Sequence, residues 1–218
     1  MQGSASFGSF IAFVSAHRAE LGVLLMQHLV LVAVATACAV AIGVPLGIFA
    51  AKRPRLAAPA MAVAGVVQTI PSLALFGFLI PLRYVGGIGV RTALVALTLY
   101  ALLPLLRNTV TGIRGVDAAV REAGRGIGMT DGQLLWHVEL PLAAPVIVAG
   151  LRTATVTTIG TATIAAAIGA GGLGVFIFRG VAMLDTSTIL QGAIPAAALA
   201  VTADLLLGRL EHRFGTPR

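Results

Sequence analysis

The chain has 218 residues, of which 58% are hydrophobic and only 11% charged, with a mean hydropathy of +0.98. Water-soluble domains carry about a quarter charged residues, so the composition rules against a soluble fold and points to an all-α integral membrane protein. The net charge of +7 does not signal a nucleic-acid binder, because the arginines are scattered at the ends of apolar stretches with no basic stripe and no interleaved aromatics.

At the N-terminus, Phe7, Phe10, Ile11 and Val14 fall at helical spacing, which suits a short helix lying in the membrane interface. No basic cluster precedes this apolar run, so it makes a poor signal peptide. Stretches free of Asp, Glu, Lys and Arg follow at Leu21–Ala51, Leu56–Leu82, Thr92–Leu106, Thr153–Phe178 and Thr186–Ala203. About 20 apolar residues cross about 30 Å of hydrocarbon, so these predict about five transmembrane helices. The third is long enough only if it starts near Gly86. The single cysteine, Cys38, lies in the first span and reads as a small packing residue.

Lys52, Arg53 and Arg55 mark the first link as cytoplasmic by the positive-inside rule. Five spans then put the N-terminus outside, the Arg83–Arg91 link outside, Glu122–Pro141 inside, Gly169–Thr186 outside and the C-terminus in the cytoplasm. Residues 1–218 form one transmembrane domain, with a cytoplasmic loop over 107–141.

That loop is a charged island. Val116, Ala119, Val120, Ala123 and Ile127 recur at helical spacing, and Asp117, Arg121, Glu122 and Arg125 take the watery side. Gly128 is placed to end this helix in the left-handed conformation. Thr130 with Gln133 matches a capping box that starts a second helix, which Pro141 is expected to stop. The island is therefore a helix–turn–helix.

Its spelling resembles the cytoplasmic motif of the membrane subunits of binding-protein-dependent ABC importers: E-A-A, three residues, G, nine residues, I, one residue, L-P. Glu122 and Ala123 match, Gly124 departs at the third position, Gly128 matches the glycine, Val138 stands for the isoleucine, and Leu140 and Pro141 close it. Four further segments, QTIPSLAL from Gln68, YALLPLLRNTVTGI from Tyr100, TATIAAAIGAGGLG from Thr161 and GAIPA from Gly192, look like the permeases for glycine betaine, choline and carnitine. Methionine permeases share the glycine-rich stretch. The resemblance implies a permease subunit whose loop transmits the motion of a cytoplasmic ATPase. That partner binds the ATP, so this chain itself holds no cofactor. It also implies a separate extracytoplasmic binding protein and a second permease copy or paralogue.

Other features carry a functional reading beside a structural one. Thr69, Pro71 and Ser72 place a proline in the second span, as a hinge or pathway wall or as a tolerated kink. Thr157 and Thr161 belong to a threonine- and alanine-rich helix that suits pathway lining, a dimer interface or ordinary packing through small residues and hydroxyls. Gly171 and Gly172 sit in a G-x-G-x-x-G match that lacks the strand and acidic residue of a dinucleotide site, so they read as close helix contact or a re-entrant turn. Arg152 either lies within the membrane or snorkels at a span that begins near Gly150, and Asp204 is a possible partner. The four histidines share no metal-ligand spacing, and nothing resembles a catalytic triad or phosphate loop, so an enzyme is not expected. An ion-gradient transporter would show internal repeats and intramembrane carboxylates, of which Asp204 alone qualifies. A non-transporting scaffold would leave the motif unexplained.

Overall fold

The computed structural model describes residues 17–215; the expected interfacial helix around Phe7–Val14 lies outside them. Every regular element among the described residues is helical. In chain order these are α1 (Arg18–Lys52), α2 (Pro54–Thr69), α3 (Ser72–Leu79), α4 (Val90–Arg114), α5 (Ala118–Gly126) and α6 (Asp131–Leu134). A π turn (Leu135–Glu139) leads into α7 (Leu140–Ile164), and a 3₁₀ turn (Ala165–Ile168) precedes α8 (Gly174–Met183) and α9 (Thr186–Phe214). Among the described residues, four helices are long and apolar enough to cross a membrane, or five if α2 and α3 count as one broken span.

The helix ends depart from the charge-free stretches. The second stretch, expected to run unbroken to Leu82, splits at Ile70–Pro71, where α2 and α3 bend by 100°. Pro71 has ψ 135, and its ring and missing N–H stop helical bonding. The third helix runs on to Arg114, past Arg107. The fourth begins at Leu140 rather than Thr153 and ends before the glycine run, so Phe178 belongs to the separate helix α8. Arg152 does not start the span; it is held inside α7 by an ion pair described below. Pro141, expected to stop the second loop helix, lies within α7. In the π turn the N–H of Leu140 bonds to Leu135 O, five residues back. The turn is widened just where a proline could neither donate nor clear the preceding carbonyl.

Contacts group the described residues into two compact units, the first comprising 17–35, 70–98 and 157–202 and the second 36–69, 99–156 and 203–215. In the first, Leu31, Phe76, Leu97, Ile159, Leu173 and Phe176 are buried. Glu20 pairs with Arg179 at 2.8 Å, tying α8 to α1. His28, fully buried, donates from Nε2 to Ile159 O at 3.2 Å; a carbonyl only accepts, so this nitrogen carries the proton. Asp185 caps α9, accepting from Ser187 N at 3.0 Å and from the Thr188 hydroxyl at 2.5 Å. The Thr188 hydroxyl chiefly, and the backbone N–H groups after it, hold this carboxyl below the usual carboxylate range against the opposing effect of desolvation.

In the second unit, Ala39, Ala101, Leu105 and Ala154 form one buried cluster, and Ala50, Ala57 and Val110 another. Small residues let the backbones approach closely: a Cβ on Gly47 would lie 2.5 Å from Thr109 Cβ. Pro104, inside α4, cannot donate to Tyr100 O. The side chain of Gln68 donates to that oxygen at 2.8 Å, as membrane helices require when a proline frees a carbonyl.

Of the spanning helices, α4 is the most enclosed, with 56% of its apolar window buried against 17–33% for the others. The remaining helices leave apolar faces, such as Val30 on α1 and Leu205 on α9, for lipid or other chains.

Candidate functional site

Charge, uncovered apolar surface and an irregular backbone coincide between α4 and α7. Asp117 caps α5 by accepting from Ala119 N at 2.9 Å. The helix ends in a turn in which Met129 N bonds to Gly124 O at 3.1 Å and Gly128 takes φ 88, a left-handed conformation that glycine enters without strain. The capping box follows, with Gln133 N donating to Thr130 Oγ1 at 3.3 Å and Thr130 N to Gln133 Oε1 at 2.9 Å. The second helix, however, is a single turn that passes through the π turn into α7 without a stop.

The apolar face of α5 is the other surprise. Val116 is buried, but Ala119, Val120, Ala123 and Ile127 are exposed, Ile127 by 77%. The buried residue of α5 is Gly124. A Cβ on it would lie 2.8 Å from Cδ1 of Leu134, which is itself only 2% exposed. Glycine at the motif's third position is therefore what seats Leu134 of α6 against α5. Glu122 and Ala123 are exposed beside it, Val138 and Leu140 are half-buried on the far side of the turn, and Pro141 is exposed. Trp136, 69% exposed, adds to the uncovered apolar surface.

Within this segment a cleft of about 460 Å³ is lined by Lys52, Arg114, Arg121, Glu122, Arg125, Asp131 and Glu139, among others. Arg125 and Asp131 stand 4.0 Å apart and are largely exposed, so solvent screens their attraction. Glu139 is only 6% exposed, and its Oε2 lies 4.0 Å from Lys52 Nζ. This residue occupies the variable place between Val138 and Leu140 in the motif. A carboxylate between two apolar residues is the one sign of it in the sequence.

The expected pathway residues fall on several elements. Thr69 ends α2, its hydroxyl donating to Val66 O at 2.7 Å, and Pro71 and Ser72 open α3. Thr157 is exposed on α7, and Thr161 donates to Thr157 O at 2.9 Å. Thr155 and Thr163 likewise turn back on their own helix. Gly171 and Gly172, at φ 79 and 81, lie against α1: Gly172 N donates to Gln27 Oε1 at 3.1 Å, and a Cβ on Gly171 would fall 2.2 Å from that oxygen. They make the close contact expected of them. The cleft that takes in Gly171, about 500 Å³, is walled by residues of α1, α4 and 169–171 and includes neither threonine, nor Pro71 or Ser72.

Arg152 and Asp204 do pair. The guanidinium donates to both carboxylate oxygens, at 2.6 and 2.8 Å, and reaches Glu211 at 3.3 Å. The sequence raised the first partner and missed the second.

Helices of this number, length and apolarity, joined by one charged helical segment, define a multi-pass membrane protein. The chain belongs to the family described as binding-protein-dependent transport system inner membrane component, which matches residues 43–216. It is 46% identical over 192 residues to the carnitine transport permease protein OpuCB of Listeria monocytogenes, covering 88% of this chain and 86% of the relative. It is 49% identical over 190 residues to the osmoprotectant import permease protein OsmW of Salmonella typhimurium, covering 86% and 88%. It is 42% identical over 203 residues to the choline transport system permease protein OpuBB of Bacillus subtilis, covering 93% and 92%. Among solved structures, it is similar to an inward-facing MetNI methionine ABC transporter, with a TM-score of 0.82, 23% identity and coverage of 90% of this chain and 96% of that one. An amino acid ABC transporter gives 0.71, 24%, 94% and 98%. At such identities the likeness speaks for the fold alone.

Proposed function

We propose that this chain, paired with a second permease copy or paralogue, forms the membrane pathway by which a small quaternary-ammonium osmoprotectant such as glycine betaine, choline or carnitine enters the cell. ATP hydrolysis in a separate cytoplasmic subunit drives the transport, and a separate extracytoplasmic binding protein delivers the solute. The observation that carries the substrate reading is relatedness along nearly the whole chain to permeases named for carnitine, choline and osmoprotectant transport. In this reading Glu122, Ala123, Gly124, Gly128, Val138, Leu140 and Pro141 build the loop that engages the ATPase. The uncovered Val120, Ile127 and Trp136 are the apolar surface that engagement covers, since apolar patches rimmed by charge are typical of docking faces. The N-terminus lies outside and the C-terminus in the cytoplasm of the cell membrane. Thr69, Pro71, Ser72, Thr157, Thr161, Gly171 and Gly172 are the hinge and lining residues of the pathway.

The test is uptake of labelled glycine betaine, choline and carnitine into osmolyte-requiring cells that express this chain and its binding protein, with and without the ATPase subunit. ATPase-dependent accumulation of any one is the expected result. Accumulation that ignores the ATPase sinks the coupling reading and favours an ion-driven carrier. A second reading, a permease for methionine or another small solute, draws support from the glycine-rich stretch 169–174. It is the outcome if the ATPase and permease co-purify and none of the three osmolytes accumulates.

A further inference from the structure

Both stems of the loop hold the same place in the chain. On the entering stem Arg114, the last residue of α4, donates from Nε to Ala51 O and from Nη2 to Ala50 O, each at 3.2 Å. On the leaving stem Glu139, the last residue of the π turn, directs Oε2 toward Lys52 Nζ, 4.0 Å away. Ala50, Ala51 and Lys52 are the final three residues of α1. The end of α1 is thus gripped from both sides of a segment with which it shares no nearby sequence.

The Glu139 grip is incomplete. At 4.0 Å the pair is in electrostatic contact but beyond hydrogen-bond reach, and Oε2 has no hydrogen-bond partner among the described residues. Burying a carboxylate costs stability unless it is paired and hydrogen-bonded, and a well-packed apolar side chain would serve a static fold better. The residue also belongs to a π turn, a form that concentrates at functional positions and holds one residue more than an α turn. Such a turn can tighten or loosen without unwinding the helix that follows. Lys52, half-exposed on the cleft wall, has room to close the gap.

We propose that Glu139 is a positioning residue for coupled transport. Closing of the Glu139–Lys52 pair, added to the Arg114 bonds, makes the end of α1 follow the loop. Motion imposed on the loop then reaches α1 through these contacts as well as α4 and α7 through the backbone. The inference rests on the reading of the loop as the ATPase-engaging element.

The experiment reconstitutes the whole transporter, this chain with its ATPase and binding protein, in liposomes and measures ATP hydrolysed per solute imported. Glu139→Gln and Lys52→Gln are each expected to keep the ATPase subunit through purification yet raise that ratio about tenfold, within the range for two linked sites. The exchange of Lys52→Glu with Glu139→Lys is expected to recover most of the wild-type ratio. A purely structural pair would lower Tm and yield and leave the ratio alone. Ratios within about twofold of wild type in both single variants, or an exchange no better than they are, overturn the proposal. Should Glu139→Gln not insert, Glu139→Asp, which withdraws the carboxylate by one methylene, is read by the same thresholds. A wild-type chain that retains no ATPase at all sinks the loop reading instead.

Discussion

Gly128 stands at φ 88 with nothing within 4 Å of where a Cβ would be. A Cβ there meets no clash, so a substitution meets chiefly the backbone strain of the left-handed region, about 1–3 kcal/mol. Gly128→Val is therefore expected to leave membrane insertion intact while abolishing uptake, because the turn that sets α5 against α6 no longer closes. Immunoblots of membrane fractions read beside uptake check this, and wild-type uptake would remove the turn from the coupling element. Arg152 serves two carboxylates. Losing Asp204 leaves the guanidinium with Glu211, whereas losing Arg152 leaves two acidic groups facing each other. Arg152→Ala is accordingly expected to lower the Tm in detergent more than Asp204→Asn does; equal or inverted shifts would show that the guanidinium is not the centre of the group.

Among the elements, α8 and α9 meet at a close backbone approach. A Cβ on Gly192 of α9 would lie 2.4 Å from Leu173 O, the carbonyl just before α8. That oxygen belongs to the backbone and cannot swing aside, so Gly192→Ala is expected to cost about 1–3 kcal/mol as an overpacked contact. A purified variant that melts with wild-type Tm would show that the helices separate freely. The apolar stretches announced the long helices because partition into hydrocarbon depends on local composition, residue by residue. Their ends were not legible. Charge-free windows stopped at Arg107 and Arg152, while helices stop where hydrogen bonding fails, as at Pro71. Pro141 looked like a stop because no sequence rule exposes the π turn that accommodates it.

For the whole molecule, the orientation rests on Lys52, Arg53 and Arg55. After Cys38→Ser, single replacements Ile88→Cys and Ile127→Cys occupy sites 80% and 77% exposed. An impermeant maleimide is expected to label the first on intact cells and the second only after permeabilisation; the reverse pattern would invert the topology. Sequence alone determined the membrane class, the number of apolar stretches, the family motif from Glu122 to Pro141, and the turn at Gly128 with its capping box. Each of these depends on composition or on the order of residues along one continuous stretch of chain. Only the tertiary structure decided that the apolar face of α5 is left uncovered, that Gly124 exists to admit Leu134, and that Arg152 binds Asp204 and Glu211. It alone brought Arg114 and Glu139 to the end of α1. Those are contacts between residues far apart in the chain, created when helices pack, and no local pattern of residues encodes which distant neighbour will arrive.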